Sequence, residues 1–269
     1  MEKSLALVVG HYCHDTLLLS DQTRSETLGG SAAYISAVWS SLGFPFQVVS
    51  KVGEDFKYLS RVAQPAQVVT GTKTTHFIGD FTRGERVESL LSFCEPIYPR
   101  DIPEHGQLEV GVAAGLFGEV LPETLLKLAS HSKWVLCDLQ GLIRTADSNG
   151  RVVLQSLQNT AYFRDLEKIS FLKASRKEAE CMNIDEVRKR SRILITEGKE
   201  GCTLYDSDRV THVPAFVVEE IDPTGAGDCF LAGFAAGLLE ALPIERAIEK
   251  GCYFGSLAVQ QIGIPNIKL

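Results

Sequence analysis

Apolar residues along this chain fall into short unbroken runs and longer stretches of helical spacing. "SLALVVG", ending at Gly10, predicts a buried first strand, and "TLLLS", from Thr16, a second short strand. A polar connector leads from there to Gly29 and Gly30. "SAAYISAVWSSLG" has helical spacing, with Ala33, Ala37 and Trp39 to Leu42 facing a core and Gly43 as its stop. "FQVVSKVG" returns as a strand. Over residues 66–95 the pattern changes to "QVVTGT", "THFIGDF" and "VESLLSF", rich in Thr, Val and Phe and punctuated by turn residues such as Thr82. That predicts a small β meander which, with "TLLLS", forms a separate little sheet from segments within 16–28 and 66–95.

From about Leu108 strands and helices alternate. "LEVGVAAG", "KWVLCDL", "ISFLKAS" and "RILIT" read as strands. "PETLLKLASH", with Pro122 in its first turn, and "RKEAECM" read as helices. "GCTLYDSDRVTHVP" reads as a hairpin around Ser207 and Asp208, "AFVVEEID" as one more strand, and 225–241 and 244–261 as two helices divided by Pro243. This alternation predicts one domain over 1–269, an α/β fold with a mostly parallel sheet covered on both faces. Ligand sites on such sheets lie beyond the C-terminal strand ends.

Composition narrows the partners. The chain has 269 residues and a formal net charge of −7. That argues against nucleic acid and for small-molecule partners. No apolar run approaches the ~20 residues of a membrane helix, and "LALVV" is too short for a signal-peptide core, so the expected location is cytoplasmic. The seven cysteines include no C-x-x-C pair and read as reduced thiols. His11, Cys13 and His14 stand close together but lack a second ligand cluster.

The chemistry concentrates in "EEIDPTGAGDCFLAGFAAGLLEAL", from Glu219. Asp222 and Asp228 bracket Pro-Thr-Gly-Ala-Gly, and a helix follows. The first amides of that helix, at Gly225, Ala226 and Gly227, have no intrahelical partner and with the helix dipole suit a phosphate. Side chains would block the approach, so the residues are small. Asp228 then stands in the first turn beside the bound anion. A carboxylate there suits deprotonation of a hydroxyl that attacks the phosphoryl group, which is the arrangement a kinase of small alcohols needs. No G-x-x-x-x-G-K-[ST] loop occurs, "GAGDCF" lacks the third glycine of a dinucleotide fingerprint, and no protein-kinase signature is present.

The Asp222–Asp228 string closely resembles the C-terminal signature of the ribokinase-like (PfkB) carbohydrate kinases, and the rest of the chain agrees with that family in order. The resemblance implies a three-layer α/β/α sandwich with a small β-sheet lid. It implies Asp228 as catalytic base and Gly225, Ala226 and Gly227 as anion hole, with Asp222 and Thr224 at the phosphate end. "GHYCHD" resembles the segment of the substrate aspartate, here Asp15. "GGSAAY" resembles the Gly-Gly signature, here Gly29 and Gly30, and "KVGED" brings Asp55. "FGEVLPETL" resembles the segment whose glutamate contacts the sugar, here Glu119. "KASRKEAE" resembles Asn-x-x-Glu, with Ser175 and Glu178, which would order magnesium through water. "TEGKEG" resembles the nucleotide loop, with Thr196, Gly198 and Gly201. ATP and Mg2+ follow as implied cofactors, and a monomer or lid-paired homodimer as implied state. Local phrasing in "LVVGHYCHD" and "ETLGGSAAYIS" is most similar to the plant kinases of myo-inositol, so a small polyol is the expected acceptor.

Two positions depart from the family pattern. Tyr34 replaces an Asn that holds substrate hydroxyls, and Ser175 replaces the Asn of Asn-x-x-Glu. Tyr34 either meets the substrate or packs into the core. Another sugar or a nucleoside remains an alternative acceptor, with Phe77, Phe81 and Phe93 as a base clamp. A non-catalytic sugar sensor is the other alternative. The segment between Asp55 and Val68 is short enough that a family helix is expected to be missing there.

Overall fold

The computed structural model describes residues 6–18, 23–80, 82, 87–104 and 106–267. Phe81 of the expected clamp lies outside them. An eight-stranded sheet runs in the order Val210–Val213, Cys202–Tyr205, Arg192–Thr196, Phe171–Ser175, Ser132–Asp138, Leu108–Ala113, Ala6–Val9 and Phe46–Val49. Its two edge strands at the Val210 end are antiparallel and every other pairing is parallel.

Side chains alternate across this sheet and so build two cores. Ala6, Val8, Val110, Val112, Leu136, Phe171 and Leu194 face helices Ser31–Leu42, Ala226–Leu239 and Ile244–Ala258. Leu7, Val9, Ala113, Val135, Cys137, Leu172 and Ile193 face helix Pro122–His131 and the segments at Leu166 and Val187. The result is three layers, as expected. The Gly/Ala content of Ala226–Leu239 has a packing cause: a β-carbon at Gly237 would come within 2.6 Å of Ala247 in the next helix. Pro122 opens its helix, and Gly43 ends Ser31–Leu42 in the left-handed conformation that lets its N–H close the last turn.

A second sheet of four strands runs Arg24–Gly29, Cys13–Leu18, His76–Asp80 and Val87–Ser92. This is the expected lid, with two differences. The polar connector before Gly29 is itself a lid strand. "QVV" at Gln67–Val69 leaves the lid and pairs in parallel with Lys51–Gly53, where the Gln67 N–H reaches the Ser50 carbonyl. No helix occurs over 54–66, in line with the shortness of that segment.

Two further readings are corrected, and one hairpin is added. "AFVVEEID" forms no strand: after Val213 the chain leaves the sheet edge and crosses to the last helix pair as extended coil, with Val217 fully exposed. "RKEAECM" yields only the turn Arg176–Ala179. An unforeseen hairpin, Arg144–Ala146 with Val152–Leu154, joins the body to the lid through a bridge between Arg151 and Ser89. Its strands, of three residues each, are too short to show a period.

Candidate active site

The site lies at the C-terminal strand ends, under the lid. Gly225 caps helix Ala226–Leu239 with φ of 78°, a conformation open to glycine. The Ala226 N–H turns back to the Pro223 carbonyl at 3.2 Å, and the amides of Gly225 and Gly227 have no backbone acceptor among the described residues. Thr224 donates its N–H to Asp222 Oδ1 at 2.9 Å, which stiffens the turn before the helix. Asp228 stands in the first turn. Its Oδ1 is buried and has no hydrogen-bond partner. Burial pushes the Asp228 carboxyl above the usual aspartate range, and Lys173, the Ser31 hydroxyl and Arg144 temper that rise. A desolvated acceptor atom beside free helix amides is what a base for an attacking hydroxyl requires.

Lys173 was not singled out in the sequence, yet it belongs here. A β-carbon at Gly227 would come within 2.6 Å of its Nζ, so the ammonium lies directly against the anion hole. Lys173 pairs with Asp138 at 2.9 Å, with side-chain exposures of 6% and 0%. Burial works against the charge, but Asp138, Glu178 and Asp228 together hold the ammonium above the ordinary lysine range. Asp138 also accepts the Gln140 N–H at 3.2 Å, and Gln140 Nε2 donates to the Ser31 hydroxyl at 3.0 Å. The available signals were a lysine inside the apolar strand "ISFLKAS" and the polar residues of "CDLQGLIR" at the end of the neighbouring strand.

Ser175 and Glu178 form a reciprocal cap. The Ser175 N–H and hydroxyl each donate to Glu178 Oε2 at 2.8 Å, and the Glu178 N–H donates to Ser175 Oγ at 3.3 Å. Serine at the Asn position thus still fixes the glutamate. Burial opposes ionisation of Glu178, but Lys173, the Ser175 N–H and Arg144 prevail and hold it below the usual range. Arg144 reaches Glu178 Oε1 at 4.0 Å and Glu88 of the lid at 3.5 Å.

Tyr34 is buried, and its hydroxyl has no partner. The ring lies against Gly225, and the electrostatic neighbours of the hydroxyl are Asp15 and Asp228. Tyr34 therefore both packs in the core and aims a polar atom at the site. Gly29 and Gly30 make room for protein: β-carbons there would strike Asp15 Oδ2 at 2.0 Å and the His11 carbonyl at 2.3 Å. Asp15 is thereby held over the start of helix Ser31–Leu42.

Two expected substrate residues sit differently. Glu119 is fully buried, and its carboxylate accepts N–H bonds from Leu116 and Phe117 at 2.8 to 2.9 Å and from His11 at 3.3 Å. With its oxygens spent on backbone amides it anchors two loops of the site and offers no face to a substrate. Asp55 is exposed, and its Oδ1 accepts the Thr74 N–H at 2.7 Å and hydroxyl at 2.8 Å. It ties the Gly53 turn to the lid root.

Beyond the anion hole a cleft of about 470 Å³ opens between the strand ends and the last two helices. Thr196, Gly198 and Gly201 line one side, Phe216, Val217 and Val218 a second, and Phe230, Cys252 and Val259 the floor. Gly201, with φ of 107°, lies where a β-carbon would strike the Val213 carbonyl at 2.1 Å. The cleft runs into Ala226 and Gly227, so the slot and the anion hole are continuous. The coil that replaces the expected strand supplies one of its walls.

Strand-end placement, a desolvated aspartate and an amide cradle define a small-molecule phosphotransferase site. The family model of the pfkB family carbohydrate kinases matches residues 115–267, and the chain belongs to that family. It is 40% identical over 271 residues to an inositol 3-kinase of Arabidopsis thaliana, covering 98% of this chain and 76% of that one. It is 42% identical over 277 residues to an inositol 3-kinase of Oryza sativa subsp. japonica, covering 97% and 69%. Among solved structures, a pyrophosphate-dependent kinase of the ribokinase family complexed with a pyrophosphate analog and myo-inositol superposes with a TM-score of 0.81 at 20% identity, covering 97% of each chain. That last likeness supports the fold. The chain is a small-molecule kinase that uses a phosphate donor.

Proposed function

We propose that this kinase transfers the γ-phosphoryl group of ATP to a hydroxyl of myo-inositol. The observation that carries the chemistry is Asp228 Oδ1, buried and unpartnered at the mouth of the Gly225–Gly227 cradle. Asp228 takes the proton of the acceptor hydroxyl. The acceptor oxygen bonds to the γ-phosphorus in line as the bond to the bridging oxygen of ADP breaks. The transition state is loose, so positioning and charge stabilisation carry most of the rate. The amides of Gly225 and Gly227, with Lys173 against the latter, hold the phosphoryl oxygens.

The inositol 3-kinase relatives support the acceptor. A cyclitol offers only hydroxyls, and the buried Tyr34 hydroxyl, which has no partner of its own, would be left unpaired by a substrate lacking one, with Asp15 as a further polar group nearby. The apolar cleft supports ATP as donor, because a nucleobase fills such a slot, Thr196, Gly198 and Gly201 line it, and it runs into Ala226 and Gly227 just after the turn that Asp222 and Thr224 close. Glu178, held ionised and fixed by the Ser175 N–H and hydroxyl, would order the waters of a magnesium ion carried mainly by the donor phosphates. Bound there, the cation would neutralise phosphate charge. Pyrophosphate is the second donor reading, favoured by two cations, Lys173 and Arg144, beside Asp228.

The test is phosphorylated product formed from ATP or pyrophosphate, with magnesium, over myo-inositol, ribose, fructose and adenosine. Turnover of myo-inositol with ATP that collapses in Asp228→Asn is expected. Turnover of adenosine alone would replace the acceptor, and turnover with pyrophosphate alone would replace the donor.

A further inference from the structure

Arg144 is the least satisfied cation near Asp228. Lys173 is committed to Asp138 at 2.9 Å. The Arg144 guanidinium has only two long ion pairs, at 3.5 Å to Glu88 and 4.0 Å to Glu178, and donates no hydrogen bond to any described residue. Its side chain is 17% exposed, so its donors are largely withdrawn from water. A guanidinium recognises phosphate by a planar fork of N–H donors, and such donors are seldom left idle when shielded.

Position adds to this. Arg144 begins the hairpin that touches the lid through Arg151 and Ser89, and its nearest carboxylate, Glu88, is on the lid strand Val87–Ser92. Its other carboxylate, Glu178, belongs to the phosphate side. It thus stands between lid and body, and Asp228 lies within its field.

We propose that Arg144 is a catalytic residue that binds the transferring phosphoryl group from the lid side, opposite the amides of Gly225 and Gly227. A phosphoryl oxygen, carrying more charge than the distant carboxylates offer, draws the guanidinium off Glu88. The donor's arrival thereby alters the lid contact, so that site filling and lid position are linked. This rests on the kinase reading above.

The experiment compares the parent with Arg144→Met, Arg144→Lys and Arg144→Ala, all melted first to verify folding. In Arg144→Met, kcat should fall about a hundredfold or more while the acceptor KM changes less than about threefold. Arg144→Lys should stay impaired, because a point charge lacks the fork. Free guanidinium ion added to Arg144→Ala should restore part of the rate, which a lost packing contact would not allow. Unchanged kcat in folded Arg144→Met, or no rescue in Arg144→Ala, overturns the assignment while parent turnover leaves the kinase reading standing. If the parent turns over no acceptor, calorimetric binding of inorganic pyrophosphate decides: weaker binding in Arg144→Met supports the site, and equal binding overturns it.

Discussion

The ring of Tyr34 lies so close to Gly225 that a β-carbon on the glycine would come within 2.1 Å of Tyr34 Cε1. This contact ties helix Ser31–Leu42 to the start of helix Ala226–Leu239. It also explains why the cap of the latter has no side chain, beyond its φ of 78°.

Gly225→Ala should therefore fail twice. The left-handed conformation costs roughly 1–2 kcal/mol for a residue with a β-carbon, and the clash displaces Tyr34 or the helix start. A lower melting temperature and near-complete loss of kcat are expected. Retention of both would show that the contact gives way easily.

Tyr34→Phe separates packing from polarity. Its hydroxyl is buried and unpartnered, so its removal should leave stability unchanged or raised. If the hydroxyl meets the acceptor, the acceptor KM rises by about tenfold, the worth of one neutral hydrogen bond. An unchanged KM would assign Tyr34 to packing alone.

Asp228 carries the pH dependence. Its carboxyl is raised above the ordinary aspartate range, chiefly by burial. The base must be ionised, so kcat/KM should decline with falling pH along a limb above that range. The stability effect has the opposite sense: the folded state binds this proton more tightly than the unfolded chain, so this group's contribution is present at low pH and lost as pH rises through the folded pKa. Asp228→Asn should remove the limb, lower kcat by ~100-fold or more, and keep donor binding in a calorimetric titration.

The Asp138–Lys173 pair should show an asymmetry between stability and activity. Lys173→Met leaves a buried carboxylate unpaired, at a cost of about 3–5 kcal/mol. The double change Asp138→Leu with Lys173→Met should recover much of that stability in a denaturant melt. It should not recover kcat, because the cation behind Gly227 is gone. Recovery of both would make the pair purely structural.

Ser175→Ala should cost ~1 kcal/mol through loss of the reciprocal cap, with a higher magnesium requirement as Glu178 loosens. Ser175→Asn should preserve both. A stability loss without any shift in the magnesium titration would separate the cap from the metal role.

Much of this protein was readable along the chain because its signals are local. The alternation of buried strands and amphipathic helices follows from the 2.0 and 3.6 periods, and it predicted the parallel sheet, the three layers and the helix limits at Pro122 and Gly43. The Asp222–Asp228 string was legible because an anion hole needs consecutive small residues at a helix start. What escaped depends on side chains far apart in sequence. Lys173 and Asp138 come from two neighbouring strands and Gln140 and Ser31 from the first positions of two helices, and each alone looks like an ordinary polar residue. Glu119 looked like a substrate acid, but backbone amides of neighbouring loops claim both its oxygens, and Thr74 takes one oxygen of Asp55. "AFVVEEID" has the composition of a strand, yet Val210–Val213 already closes the sheet edge, so those apolar residues wall the cleft instead. Local periodicity settles which elements form. Which partner satisfies each buried polar atom is settled only when the strand ends meet.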